Sequence, residues 1–421
     1  MKKNLYNRFV FILGIVFLFV GGFLFYYEKN PQVYNTFAQS GIELSFLDNL
    51  GSWEKELDCG SYITLVDEAG KELDQLSRFV YVGDEIILED NKHYKIVKVD
   101  DKQNKAIAEL VGKADIVWRE EWDQLPVTLL AQNKGKVGIY MTHTAESYVP
   151  TDGTDSIPGN GGILQVGNTL ANTIKKQGVE SLISFNKHDP HDANAYHRSR
   201  KTAVQLLKNN PLALIDVHRD GVPDPGFYKT EINGQPGTKI RLVVGRQNPR
   251  HASNLDFAKN IKAYFDKKSP GLIKGIFLGK GNYNQDLGPN SILIEVGTHT
   301  NSRTAAERGV AQFAEGIPQI IGAAAGPGGP TPPGGPRGIG TGTGSAILWL
   351  LLFTILGGGA FLLLSTGSWK GSLAKLSELG KEFSNYLGPK EVKTPAEENT
   401  QTGDPDHHQA QCDVEKQDKE Q

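Results

Sequence analysis

The chain has 421 residues, room for two or more domains. Its 45 Lys and Arg nearly balance 48 Asp and Glu, for a formal net charge of −3, so no basic excess points to nucleic acid as a partner. Cys59 and Cys412 lie far apart, on opposite sides of an expected membrane, and outline neither a disulfide framework nor a cysteine zinc site. Any metal must then be held by His, Asp or Glu.

In chain order, a short basic N-terminus (1–8) carries Lys2, Lys3 and Arg8. Phe9 to Tyr27 is a nearly unbroken apolar run, about the 20 residues a bilayer needs. The preceding basic residues place the N-terminus in the cytoplasm. A cleaved signal peptide is the rival reading, but its apolar region would be about 7–15 residues, followed by a small-x-small site. This run is longer and leads into Tyr26-Tyr27-Glu28-Lys29, so an uncleaved transmembrane helix (9–27) is expected.

Residues 28–130 read as an extracytoplasmic linker and a small β domain. Tyr62–Val66, Phe79–Asp84, Glu85–Leu88 and Tyr94–Val99 are β-rich and alternate, with the polar turn Glu89-Asp90-Asn91-Lys92 between two of them. No chemistry is visible here, which suits a binding or spacer module.

Residues 131–322 alternate between strand and helix patterns. Strands are expected at Lys136–Tyr140, Val179–Phe185, Leu212–Val217, Ile240–Val244, Ile273–Leu278 and Ser291–Val296. Helices are expected at Asn168–Gln177, Ala195–Lys208, Asn254–Phe265 and Arg303–Gly322. This order predicts an α/β domain with a mostly parallel twisted sheet and helices on both faces. Ligands of such a sheet bind outside the carboxyl ends of its strands.

A Pro/Gly-rich linker (323–345) follows. A second apolar run, Ala346 to Leu364, is interrupted by Gly357-Gly358-Gly359 but long enough to cross. Lys370, Lys375 and Lys381 come after it, so both termini are expected in the cytoplasm with the central region outside. Residues 365–421 form a cytoplasmic tail. Leu373, Leu376, Phe383 and Leu387 suggest a helix over 369–387, either amphipathic at the membrane surface or an ordinary short one. Beyond Gly388 the tail is polar, acid-rich and expected to be disordered; His407-His408 there reads as incidental.

Three strand ends carry the chemistry. His143 follows the first strand of the α/β region, and Glu146 lies three residues on. His218 ends another strand, and Glu295 ends an apolar one. Two His and one carboxylate leave a fourth zinc position open, the arrangement of a catalytic site. Glu295 is then the candidate for moving the water's proton, because an unpaired carboxylate in an apolar strand is costly without a purpose. Asp216, two residues before His218 on a strand, should share its face and orient an imidazole. For each residue alone, a structural or solvated role is the commoner reading. His299 could belong to the site but is favoured as a loop residue, and the stretch Lys187-His188-Asp189-Pro190-His191-Asp192 suggests metal binding but is favoured as a loop before a helix.

At these residues the chain resembles the stage II sporulation protein P family, membrane-anchored peptidoglycan hydrolases related to zinc-dependent N-acetylmuramoyl-L-alanine amidases. The resemblance runs from about Arg78 to Ile321 and includes Val82-Gly83-Asp84-Glu85. It rests on Thr142-His143-Thr144-Ala145-Glu146-Ser147-Tyr148, Ala195-Tyr196-His197-Arg198-Ser199-Arg200, Asp216-Val217-His218-Arg219-Asp220-Gly221, Val243-Val244-Gly245 and Ile294-Glu295-Val296-Gly297. It implies cleavage of the amide between the lactyl group of N-acetylmuramic acid and L-alanine, and in some members of peptide cross-links. It implies Zn2+ held by His143 and His218, and Glu295 as the catalytic carboxylate. For the third ligand, related amidases often use a glutamate near the first helix, where this chain has Gln165 and Asn168; Glu146 is the choice here. Arg198, Arg200 and Arg219 are candidates for binding substrate carboxylates or the oxyanion, with structural salt bridges as the alternative. The C-terminal linker, second span and tail depart from the family pattern. They suit a hydrolase tethered at both ends in a transporter, secretion or conjugation setting or another local wall-remodelling task, rather than the sporulation-type engulfment the resemblance implies, with a partner wall hydrolase or envelope complex. Two competing readings remain: a non-catalytic wall-binding scaffold with the same fold, and a zinc peptidase acting on a protein.

Overall fold

Alternation along two apolar strands decides how the site is presented. The structure is a computed structural model, and it describes residues 21–22, 54–124, 135–325, 366–368, 370–371, 374–375 and 377. Its strands are β1 (Ile63–Val66), β2 (Glu72–Leu76), β3 (Glu85–Leu88), β4 (Lys92–Asp100), β5 (Lys105–Lys113), β6 (Lys136–Tyr140), β7 (Glu180–Ile183), β8 (Ala213–Asp220), β9 (Lys229–Ile232), β10 (Gln235–Thr238), β11 (Ile240–Gly245), β12 (Ile273–Gly279) and β13 (Ser291–Thr298). The long helices are α1 (Ile163–Lys176), α2 (Ala195–Leu207), α3 (His251–Lys268) and α4 (Arg303–Ala325).

β8 and β13 are buried at every position, so they sit in the sheet's middle with both faces covered. Even-numbered Ile292, Ile294 and Val296 join Ile215 and Val217 in one apolar cluster with residues of α1, α3 and α4. The opposite face carries Leu293, which packs with Val243 and Phe277 against β1–β5. His218 pairs in register with Glu295, and Asp216 with Leu293, so period-two alternation puts Asp216, His218 and Glu295 on that second face. α1 shows why helices cover the first face. Its Ile163, Val166, Leu170 and Ile174 recur at helical spacing and are all buried, each contributing roughly 1.5–3 kcal/mol. α2 covers the other face through Ala203 and Leu206, packed on Tyr140 and Leu214.

Strands β7, β6, β8 and β13 run parallel, as do β11 and β12, while β11 meets β13 antiparallel. The expected separate β module is not separate. β3 pairs antiparallel with β12, and the eleven strands form one mixed sheet of order β2-β1-β5-β4-β3-β12-β11-β13-β8-β6-β7. The physical reason is the edge: β12 would otherwise expose an unpaired row of backbone groups. Phe79–Asp84, expected as a strand, is irregular instead. The Tyr81 amide donates to Asp84 Oδ2 at 2.8 Å, closing a turn that Gly83 completes at φ +88°.

The chain divides into two compact units, residues 10–337 and residues 1–9 with 338–421. The expected spans at 9–27 and 346–364 and the linker lie almost wholly outside the described residues, as do most of the 369–387 helix and the polar tail. Lys370, Gly371, Ala374, Lys375 and Ser377 are helical. Among the described residues, no helix is long and apolar enough to cross a membrane.

Candidate metal centre

His143, Glu146 and His218 converge. Glu146 Oε1 lies 3.5 Å from His143 Nδ1 and 3.4 Å from His218 Nδ1. All three side chains are buried, yet Glu146 Oε1 and both ring nitrogens of each histidine lack a hydrogen-bond partner. Orphaned polar atoms are costly inside a protein. Ligand atoms bonded to zinc at about 2.0–2.1 Å in a tetrahedron stand roughly 3.4 Å apart, the spacing Glu146 Oε1 shows to each histidine. The residues present therefore fit a zinc ion. Gln165 and Asn168, the alternative positions on α1, are exposed.

Local structure explains the convergence. Residues 141–148 leave β6 as a loop whose amides and carbonyls are tied down. Thr142 donates from its amide and hydroxyl to the two Asp216 oxygens, at 2.8 and 2.6 Å. The Arg219 amide donates to Glu146 Oε2 at 3.0 Å, aiming Oε1 at the histidines. A side chain at position 161 would bring a Cβ 2.2 Å from the Glu146 carbonyl oxygen, so only glycine lets the 156–162 segment close under this loop.

Asp216 Oδ1 is 3.1 Å from His218 Nε2, though without hydrogen-bond geometry. Its place behind the ring, on the side away from Glu146, suits an orienting role. Asp216→Asn should lower zinc affinity by about 10–100-fold, read by competition with a chelating dye; unchanged affinity would remove Asp216 from the site.

Glu295 lies in β13, just before a break. The register shifts between Glu295 and Thr298, and Gly297 takes φ +70°. That left-handed turn accounts for the glycine of the Glu-Val-Gly motif. Glu295 Oε1 pairs with Arg78, while Oε2 is buried with no partner. Burial raises the Glu295 pKa, only partly opposed by Arg78, to about 7. Burial lowers the His143 pKa, but Glu56 and Glu146 outweigh it and lift it to about 9. Against the same burial, Asp216 and Glu146 lift His218 well above its ordinary value. Two buried imidazoles that attract protons this strongly mark a negative potential suited to a cation.

Two residues here had no signal in the sequence. Glu56 Oε2 lies 3.5 Å from His143 Nδ1 and 3.0 Å from His191 Nε2. Glu56, His143, Glu146 and His191 offer ligand atoms all within 4.8 Å of one another. His218 stands outside that group, but its 3.4 Å approach to Glu146 ties it to the same centre. Arg78, buried beside Glu295, also reaches Glu56 at 3.6 Å. His188 is different: its ring nitrogens meet the Met141 carbonyl at 2.8 Å and Thr202 Oγ1 at 2.9 Å. The His299 ring contacts Thr298 Oγ1.

The three arginines have protein partners. Arg219 donates to the carbonyls of Ser147, Asp220 and Asp155, although it also lines the cavity beside the site. Arg198 donates to the His188 and Pro190 carbonyls and to Asp192, bracing the loop that carries His191. Arg200 binds Asp286 through two nitrogens, at 2.8 and 2.6 Å. The cavity itself holds about 450 Å³, with His143, His191, Glu56, Cys59 and Asp155 on its walls.

Residues 69–318 match the family described as Stage II sporulation protein P. The chain belongs to that family. Stage II sporulation protein P of Bacillus subtilis (strain 168) is 28% identical over 195 residues, which cover 42% of this chain and 48% of that protein. The chain thus spans about half the length of that relative. Similar solved structures include the N-acetylmuramyl-L-alanine amidase Ami1 of Mycobacterium smegmatis, with TM-score 0.33, 14% identity and coverage of 45% of this chain and 97% of that one. An N-acetylmuramoyl-L-alanine amidase of Clostridium difficile 630 gives TM-score 0.29, 20% identity and coverage of 47% and 100%. The CwlD amidase of Clostridioides difficile, in complex with the GerS lipoprotein, gives TM-score 0.32, 13% identity and coverage of 45% and 99%.

Proposed function

We propose that this chain is a zinc-dependent peptidoglycan hydrolase that cuts the amide between N-acetylmuramic acid and L-alanine. The observation that carries the reading is the set of buried, unpartnered donors on His143, Glu146 and His218 beside Glu295. A family member with an intact donor set and an intact proton-transfer group has the parts of a hydrolase.

Zinc bound there supplies Lewis acidity, polarising the scissile carbonyl and making water a stronger acid. His143 and His218 would hold it as neutral imidazoles and Glu146 as a carboxylate, with Asp216 fixing the His218 ring. Glu295 takes a proton from the attacking water on Oε2 and returns it to the leaving amine nitrogen as the C–N bond breaks. Arg78 grips Oε1 and keeps Oε2 turned to the reaction. The products are the free lactyl carboxylate and a peptide beginning with L-alanine. Peptide cross-links are amides too, and the same groups would serve them.

A base lifted to about 7 gives a direction for the pH profile. Glu295 must be ionised to act, so kcat/KM should rise with pH through neutrality. Arg78 favours the ionised form, so Arg78→Gln should move the rising limb to higher pH. A limb that stays in place in that variant would show that Glu295 does not set it.

In this reading the segments 9–27 and 346–364 anchor the chain in the cell membrane, with 131–322 on the outer side facing the wall. An envelope complex or second wall hydrolase would act beside it. The test of the bond is incubation of the full-length protein with purified peptidoglycan, followed by labelling of new amino ends. Labelled L-alanine supports the amidase. New ends only at cross-link residues would replace it with an endopeptidase, and no new ends from zinc-loaded protein would favour a wall-binding scaffold.

A further inference from the structure

Resting on the zinc reading above, we infer that Glu56 closes the fourth coordination position, so that residues 54–60 are a strap that slows the enzyme without silencing it. A catalytic zinc needs three protein ligands and one open place; four protein ligands make a closed site. Glu56 Oε2 stands 3.5 Å from His143 Nδ1, the same tetrahedral-edge spacing that Glu146 Oε1 shows to the two histidines. His191 belongs to the same donor group, and its Nε2 contacts Glu56 Oε2 at 3.0 Å, which holds that carboxylate towards the centre.

The strap is laid across the site by backbone hydrogen bonds and by Leu57, which packs on the apolar cluster of β1–β5. The Leu57 amide donates to the Ser77 carbonyl at 3.1 Å, Phe79 to Lys55 at 3.2 Å and Gly60 to Gly221 at 3.0 Å. Glu54 Oε1 accepts from the Asn282 amide at 2.7 Å. Glu56 and Arg78 face each other across an isolated antiparallel bridge, and Arg78 in turn grips Glu295. Lys55 to Cys59 also form a wall of the cavity over His143 and Arg219. Withdrawing the strap therefore does three things together. It opens a metal position, frees one side of Arg78 and widens the cleft to admit a glycan-linked peptide.

The test uses full-length protein loaded with Co2+, whose visible absorption reports the ligand number, and acetohydroxamate as the probe for an open position. Wild type should bind acetohydroxamate at least about tenfold more weakly than Glu56→Gln or Glu56→Ala. Only the variants should change colour at low probe concentration, and both should cleave peptidoglycan faster. Equal probe affinity in cobalt-loaded wild type and variants would overturn the strap while leaving the metal site standing. Slower cleavage in both variants would overturn the restraint. Absence of stoichiometric cobalt from wild type would overturn the zinc reading itself, and the strap with it.

Discussion

Glu295→Gln should retain stoichiometric zinc and lose peptidoglycan cleavage by about 10²–10⁴-fold, the usual worth of a positioned acid–base group. Glutamine keeps the volume and an acceptor for Arg78 but no longer carries a proton between water and amine. The measurement is a paired one: zinc content by elemental analysis and the rate of appearance of new amino ends. Because Glu295 is buried against Arg78, the same change removes the nearer of that guanidinium's two carboxylate partners and leaves Glu56, at 3.6 Å, as the other. Some loss of thermal stability should accompany it. A variant that folds, binds zinc and cleaves at the wild-type rate would remove Glu295 from the mechanism.

His143→Ala and His218→Ala should each weaken zinc binding and activity by more than about 10²-fold, beyond what loss of an orienting partner causes. Each removes one of the two imidazoles that Glu146 Oε1 brings together, and neither ring has a protein hydrogen bond to lose. In the absence of metal each change should also lower stability, because it takes a cationic partner from the buried Glu146 carboxylate. Equilibrium dialysis against buffered zinc separates the two effects. Stoichiometric zinc in both variants would refute the ligand assignment.

Part of this was legible in the sequence because alternation and strand ends are local properties. Asp216 and His218 share a face by period two, and Glu295 ends an apolar run before Gly297, whose φ of +70° turns the chain. Helix α1 announced itself through Leu170 and Ile174, though it begins earlier, at Ile163. The Asn233-Gly234 pair between β9 and β10 is a local hairpin signal, both residues having positive φ. β2 shows no clear strand pattern because three of its five residues, Glu72, Asp74 and Gln75, are polar, and β5 shows none because its buried positions, Ala106 and Ala108, are weak strand formers.

Glu56 and Arg78 belong to another class. Arg78 meets Glu295 across 217 positions of chain, and nothing in the neighbourhood of either residue encodes that meeting. It arises because β3 joins β12, which carries the N-terminal strands onto the face where Glu295 points. Reading those strands as a detached module hid both residues. Arg198 and Arg200 show the converse: their charge suggested substrate, but Asp192 and Asp286 lie within reach in the fold.

The central claim is that the His143–Glu146–His218 centre holds a zinc ion on which wall cleavage depends. Its most direct test is release of L-alanine amino ends from purified peptidoglycan by full-length protein that has been stripped by a chelator and then titrated with Zn2+. Release should cease in the stripped protein and return in proportion to zinc, reaching its plateau at one equivalent. Undiminished release from metal-free protein, or no release at any zinc level, would contradict the account.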